Sequence, residues 1–211
     1  MEIKESGLIF SFDTDTKAVK FDDTRFYRED FNKLNGGKGV DILASSPHRN
    51  LVQFIEIKNC SGNESENKWR LGVNNSSRSN MPNGVDEYDR DSLDIEVSRK
   101  VAMTISCMYG AWTCKDTIKR AEDLTEYWKD FCSADIPRLK RKISVSLFLE
   151  GDFGSRTRTK KMVMQKIQDS LNQKLKWLNC KAVVVDSNTY NRSYYSVRSR
   201  GPEDETSPEP G

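Results

Sequence analysis

Hydrophobic positions along the chain switch between two periods. Leu8-Ile9-Phe10-Ser11-Phe12 and Ala18-Val19-Lys20-Phe21 flank the turn-rich Asp13-Thr14-Asp15-Thr16-Lys17, which predicts a first hairpin over residues 7–21. Gly39-Val40-Asp41-Ile42-Leu43-Ala44 and Phe54-Ile55-Glu56-Ile57-Lys58 read as two further strands. Ser45-Ser46-Pro47-His48-Arg49-Asn50 joins them as a second hairpin. A helical period takes over at residues 92–112, where Leu93, Val97, Val101, Ile105, Met108 or Tyr109, and Trp112 recur. Asp91 or Ser92 suits its cap, and Asp94 and Glu96 suit the positive end of its dipole. Helices are also predicted over 116–131 (Ile118, Ala121, Leu124, Trp128, Phe131) and 157–178 (Val163, Ile167, Leu171, Leu175, Leu178), with Pro137 ending the region of the first. Ile143–Leu149 and Ala182–Val185 read as strands, the latter buried on both faces. Residues 23–34 suit either a short helix or an irregular connection.

The order hairpin, hairpin, helix pair, strand, helix, strand predicts an α/β fold: a mixed central sheet flanked by helices, with an N-terminal hairpin. A chain of 211 residues suits one domain, taken here as residues 1–200. Residues 61–90 are rich in Asn, Ser, Asp and Gly and lack an apolar period, which predicts a polar flexible insertion or flap. Residues 201–211, with three prolines and several acids, predict a disordered tail.

Composition narrows the classes of function. A charged fraction of 31% and a mean hydropathy of -0.74 imply an extensive solvated surface. No apolar run approaches the roughly 20 residues a membrane span needs, and Met1–Ser6 lacks a signal-peptide core. No membrane association is expected. Cys60, Cys107, Cys114, Cys132 and Cys180 form no CxxC pair, which suits reduced thiols in a cytoplasmic protein. His48 is the only histidine and falls in an inferred turn, which speaks against histidine- or cysteine-based catalysis. Gly36-Gly37-Lys38-Gly39 lacks the ending and the following helix of a phosphate loop. The net charge is only +2, yet residues 138–200 hold 15 Lys/Arg against 4 Asp/Glu. That half faces a polyanion, or its helices simply carry lysine-rich solvated faces. Tyr190, Tyr194 and Tyr195 alternate with Arg192, Arg198 and Arg200, either to stack bases and hold phosphates or as an unstructured exit segment.

The sharpest signal lies on the second hairpin. Strand alternation points Glu56 and Lys58 one way and Ile55 and Ile57 the other, and an in-register hairpin brings Asp41 near Glu56. Two carboxylates and an ammonium on one sheet surface are costly unless something uses them, and a divalent metal would. The plain alternative is a surface salt bridge worth roughly 0–1 kcal/mol. Glu96 and Lys100 stand at i and i+4, so they form a helix ion pair, or Lys100 reaches toward the carboxylates.

Val40-Asp41 followed by Glu56-Ile57-Lys58 resembles the motif of the PD-(D/E)xK, or restriction-endonuclease-like, nuclease superfamily, with Val40 where that pattern has proline. Phe21-Asp22-Asp23, Phe26-Tyr27, Lys38-Gly39-Val40-Asp41 and Phe54-Ile55-Glu56-Ile57-Lys58-Asn59 are similar to an uncharacterised bacterial branch of it. The resemblance covers about residues 36–60 as motif and 90–150 as fold context. It implies a restriction-endonuclease-like core and a hydrolase that cuts phosphodiester bonds in DNA or RNA with Mg²⁺ or Mn²⁺. It assigns Asp41, Glu56 and Lys58 as catalytic, and Asp41, Glu56 and the backbone carbonyl of Ile57 as metal ligands. Lys58 would orient the metal-bound water or stabilise the transition state. Glu29, Glu96 and Lys100 are the accessory candidates. Nucleic acid is the implied partner, with a homodimer or a larger defence or repair assembly as the context. The same fold without catalysis would be a nucleic-acid-binding or protein-interaction module.

Overall fold

The structure, a computed structural model, describes residues 1–82, 91–132, 140–155 and 157–201. Ser6 and Gly7 both take positive φ, 50° and 76°. They make a two-residue turn that matches strand twist and joins β1 (Glu2–Glu5) to β2 (Leu8–Ser11). On its other edge β2 pairs antiparallel with β8 (Ser196–Ser199), completing a three-stranded sheet. The expected pairing of Leu8–Phe12 with Ala18–Phe21 is therefore corrected. β3 (Lys17–Lys20) leaves for a second sheet and pairs with β4 (Ile42–Ser46). Polar contacts hold that exit: the Thr16 and Ser46 hydroxyls meet at 2.6 Å, and Arg49 donates to Asp13 at 2.7 Å.

The second sheet has five strands in the order β3-β4-β5-β6-β7. β5 (Leu51–Asn59) runs antiparallel to β4, whereas β6 (Lys142–Glu150) and β7 (Lys181–Val185) run parallel to β5. Parallel neighbours need crossovers. α3 (Leu93–Cys114) and α4 (Glu122–Cys132) make the first, and α5 (Lys160–Lys174) makes the second. The Thr159 hydroxyl caps α5 by accepting from the Met162 N–H at 3.3 Å. α1 (Arg25–Glu29) and α2 (Glu64–Asn67) are short. The architecture is the expected mixed α/β one.

Strand alternation splits the core into two layers. Leu43, Phe54, Val145 and Leu147 face α3, α4 and α5, meeting Val101, Leu124 and Ile167. Ile42, Ile55, Ile57 and Phe148 face the small sheet and meet Phe10 and Tyr195. Each such side chain contributes roughly 1.5–3 kcal/mol by leaving water. Tyr190 stacks on Tyr195 at 5.5 Å and 6°. Residues 190–199 are thus built into the second core and the small sheet rather than forming an unstructured exit, and Arg198 lies 3.8 Å from Glu2.

The polar insertion also differs from expectation. Residues 64–80 form α2 and three 3₁₀ turns, and Trp69 is only 3% exposed. Asn75 holds the segment to the start of α3, donating to Ser92 Oγ from its N–H (3.0 Å) and to Asp91 from its side chain (2.8 Å). An aromatic anchor and backbone-directed polar contacts replace the apolar period that a helix or strand would show. The rest of that insertion, residues 83–90, lies outside the described residues, as do Pro137 and the predicted tail from residue 202. No helix among the described residues is long and apolar enough to cross a membrane.

Candidate active site

The approach to β4 is pinned on both sides. The Phe21 N–H donates to the Asp41 carbonyl at 2.9 Å, and the Val40 N–H donates to Thr104 Oγ1 of α3 at 3.0 Å. A Cβ at Gly39 would fall 2.2 Å from the Phe21 ring and 2.9 Å from Thr104 Oγ1, so the chain passes here only as glycine. Asp41 then enters the sheet one residue before β4. The Ile42–Ile55 register sets it beside Glu56, and its Oδ2 accepts from the Ile57 N–H at 2.7 Å.

Glu56 shares a strand face with Phe54 and points toward α3, fully buried at 0% exposure. Its Oε1 accepts from Lys58 at 2.7 Å and from Lys100 of α3 at 2.6 Å. Lys100 also stands 3.4 Å from Asp41 Oδ1. Lys58 reaches Glu96 at 3.1 Å, and Glu96 in turn accepts from Arg70. Asp41, Glu56 and Glu96 are therefore balanced by Lys58, Lys100 and Arg70 in one half-buried network. Glu56 Oε2 alone among the carboxylate oxygens of the network is buried without a hydrogen-bond partner.

Of the residues singled out by sequence, Asp41, Glu56, Lys58, Glu96 and Lys100 meet. Lys100 takes the second of its two readings, extending to the carboxylates. The structure places Glu29 elsewhere: on α1, half-exposed, 3.2 Å from Arg120. Ile57 brings its N–H to Asp41. Arg70 was not foreseen. It sits in a segment without periodicity, and the adjacent apolar Trp69 is the one local hint that this stretch docks.

The electrostatics divide the two glutamates. Burial, reinforced by the Asp41 charge, pushes the Glu56 carboxyl up to about 7 against the pull of Lys58 and Lys100. Burial also opposes ionisation of Glu96. There the charges of Lys58, Arg70 and Lys100 prevail and bring it down to about 2. Lys58 and Lys100 both lie above the usual lysine value, because Glu56 and its acidic neighbours outweigh their desolvation. Near neutral pH the site thus combines a carboxyl poised to gain or lose a proton with two firmly charged ammoniums, a combination common at functional sites.

Among the described residues no group of three or more His, Cys, Asp or Glu side chains is placed to hold a metal ion. Mg²⁺, however, keeps several waters and takes one or two carboxylates beside substrate phosphates. Asp41 and Glu56 match that donor set, and Glu56 Oε2 offers an unused buried oxygen. The fit requires Lys100 to withdraw its ammonium from between the two acids.

No curated protein and no solved structure matches the chain. A family model does match, over residues 24–199, a span that contains every member of the charged network from Asp41 to Lys100; the chain belongs to that family of unknown function, DUF6661.

Proposed function

We propose that this protein is a metal-dependent nuclease that hydrolyses phosphodiester bonds in DNA or RNA. Asp41 and Glu56 would hold Mg²⁺ or Mn²⁺, and Lys58 would supply positive charge at the reacting phosphate. The observation that carries this reading is Glu56 itself: buried, beside a second carboxylate, with one oxygen unpartnered. Lys58 and Lys100 offset the charge at Oε1, but Oε2 stays desolvated without a partner, a cost that a bound cation or a reaction would put to use. When bound, Mg²⁺ lowers the pKa of its water and neutralises charge that develops on the phosphate.

The chain's own groups then have distinct tasks. Lys58 keeps its proton far above neutral pH, so it acts as an electrostatic stabiliser and not as a base. Glu96 orients Lys58 and is itself held by Arg70, which makes both positioning residues. Lys100 balances the acids until the phosphate arrives, and its ammonium can then turn to the phosphate oxygens. The excess of Lys/Arg over residues 138–200 suits a nucleic-acid backbone, as does the D…ExK resemblance. Five free cysteines support a reducing location such as the cytoplasm.

A second reading follows from Lys100. Because its ammonium already bridges Asp41 and Glu56, the network can serve as an internal ion cluster in a non-catalytic binding module. Manganese titration separates the two. A nuclease shows Mn²⁺-dependent thermal stabilisation that Asp41→Asn removes, and metal-dependent cleavage of single- or double-stranded DNA or RNA. Neither response would leave the module reading standing.

A further inference from the structure

The candidate active site uses one face of the sheet, and a different feature occupies the other face. Lys142, Ser144 and Ser146 of β6 and Lys181, Val183 and Val185 of β7 line a cavity of ≈ 480 Å³. It reaches Leu51, the first residue of β5, and lies on the side of Phe148, whereas Glu56 lies on the side of Phe54. Its size falls within the roughly 300–1,000 Å³ of small-molecule sites.

The chemistry of the walls is selective. Arg141, Lys142 and Lys181 contribute three cations, and no carboxylate lines the cavity among the described residues. Lys160, near this sheet, is paired with Asp186 at 2.6 Å. Lys142 and Lys181, both exposed, form no ion pair among the described residues. They lie on the same sheet face at the starts of adjacent parallel strands, since Lys181 is in register with Ser144. Two exposed lysines on adjacent strands of one face raise the local positive potential and suit an anion.

The remaining surface fits a planar ring. Val183 and Val185 supply an apolar floor, and Tyr194, half-buried, lines the same cavity. Tyr195 is already committed, its ring stacked on Tyr190 and only 5% exposed. Tyr194 also packs against the second core, but it is the less buried of the two rings, so the part it shows to the cavity can meet a ligand, while Asn179 and Ser144 can bond the ligand's edge. A bare inorganic anion would leave the valines and the tyrosine unused. An alkyl chain would leave two charges and the serines unanswered.

We propose that this cavity binds a nucleoside monophosphate unit, with its base between Tyr194 and the valine floor and its phosphate on Lys142 and Lys181. The unit is either a free mononucleotide or one nucleotide of a single strand. The proposal does not depend on metal chemistry at Asp41 and Glu56.

The test is equilibrium titration of the full chain, in chelator, with AMP, GMP, CMP, UMP, adenosine, inorganic phosphate and a short single-stranded oligonucleotide. Peptide-resolved alkylation of Cys180, which lines the same cavity, is followed in parallel. Saturable binding of a mononucleotide or of the oligonucleotide, with slowed Cys180 alkylation, is expected, and which of them binds names the source. Adenosine and phosphate should bind at least about tenfold more weakly, and Lys142→Ala/Lys181→Ala or Tyr194→Ala should each cost about tenfold or more. Tyr194→Phe should retain binding, and unchanged melts verify that these variants fold. The proposal is overturned by no saturable binding, by equal binding of adenosine or of phosphate alone, or by indifference to the lysine pair.

Discussion

Two carboxylates are both 0% exposed, Glu56 facing α3 from the sheet and Asp94 within α3 itself, yet their surroundings differ in kind. Asp94, in the first turn of the helix, accepts at Oδ1 from Ser92 (2.6 Å) and at Oδ2 from Ser170 (2.7 Å), Lys174 (3.0 Å) and the Asn74 N–H (3.1 Å). Burial alone would raise its pKa, but the bonds from Ser92, Ser170 and Lys174 outweigh it and hold the group below the usual aspartate value. Glu56 draws on two lysines at a single oxygen, leaves the other oxygen bare, and titrates near 7. A carboxylate with both oxygens satisfied ties together α3, α5 and the 61–82 segment. One left half satisfied at a sheet surface is held in an unfavourable state that a ligand can relieve.

The largest effect expected concerns Glu56. In the proposed nuclease, Glu56→Gln and Lys58→Met should each lower cleavage by about 10³-fold or more, about 4 kcal/mol of barrier, and for Glu56→Gln the thermal melt should shift little. Cleavage at the wild-type rate would remove the functional half of the contrast. Next in size, Asp94→Ala should destabilise the fold by about 3 kcal/mol in a denaturant titration, because it strips the acceptor from Lys174 and two buried hydroxyls. A loss within experimental error would show that this network is not a pin.

The pH dependence sharpens the same contrast. Folded Glu56 binds its proton up to about pH 7 against an ordinary value of 4.5, so the native state holds more protons than the unfolded one between those limits. Stability should therefore fall as pH rises through that window, with a slope of at most about 1.4 kcal/mol per pH unit, and Glu56→Gln should flatten it. Asp94 has the opposite sign. Its contribution is complete above the ordinary 3.8 and fades as pH drops below it, so Asp94→Asn should flatten the acid limb instead. The smallest change belongs to the exposed pair of Lys17 and Glu126: Glu126→Ala should alter stability by less than about 1 kcal/mol.

Asp41, Glu56 and Lys58 were legible because a two-residue strand period and a short connection decide which side chains share a face. Glu96 and Lys100 followed from helical phase, as did the reach of Lys100 to the carboxylates as one of two readings, but the partners of Glu96 did not. Each binds across to β5 or to the 61–82 segment instead of to the other. The Asp94 network was opaque for the same reason. Its acceptor and donors are as far apart as Asp94 and Ser170, and a polar side chain that meets a distant partner leaves no period behind. β1 escaped notice because Ile3 is its sole apolar residue, and β8 because Ser-Val-Arg-Ser carries one.

Local rules thus sufficed for the mixed α/β class, the order of its main helices and strands, and the trio on the second hairpin, since each depends on neighbours within a few turns of chain. Which strands joined which sheet, how Trp69 and Arg70 docked, and where the Tyr190–Tyr195 segment packed all depended on contacts made across the whole chain. Apolar runs state only that they must be covered; shape, register and the matching of buried charges choose the cover, and those exist only once the chain has closed on itself.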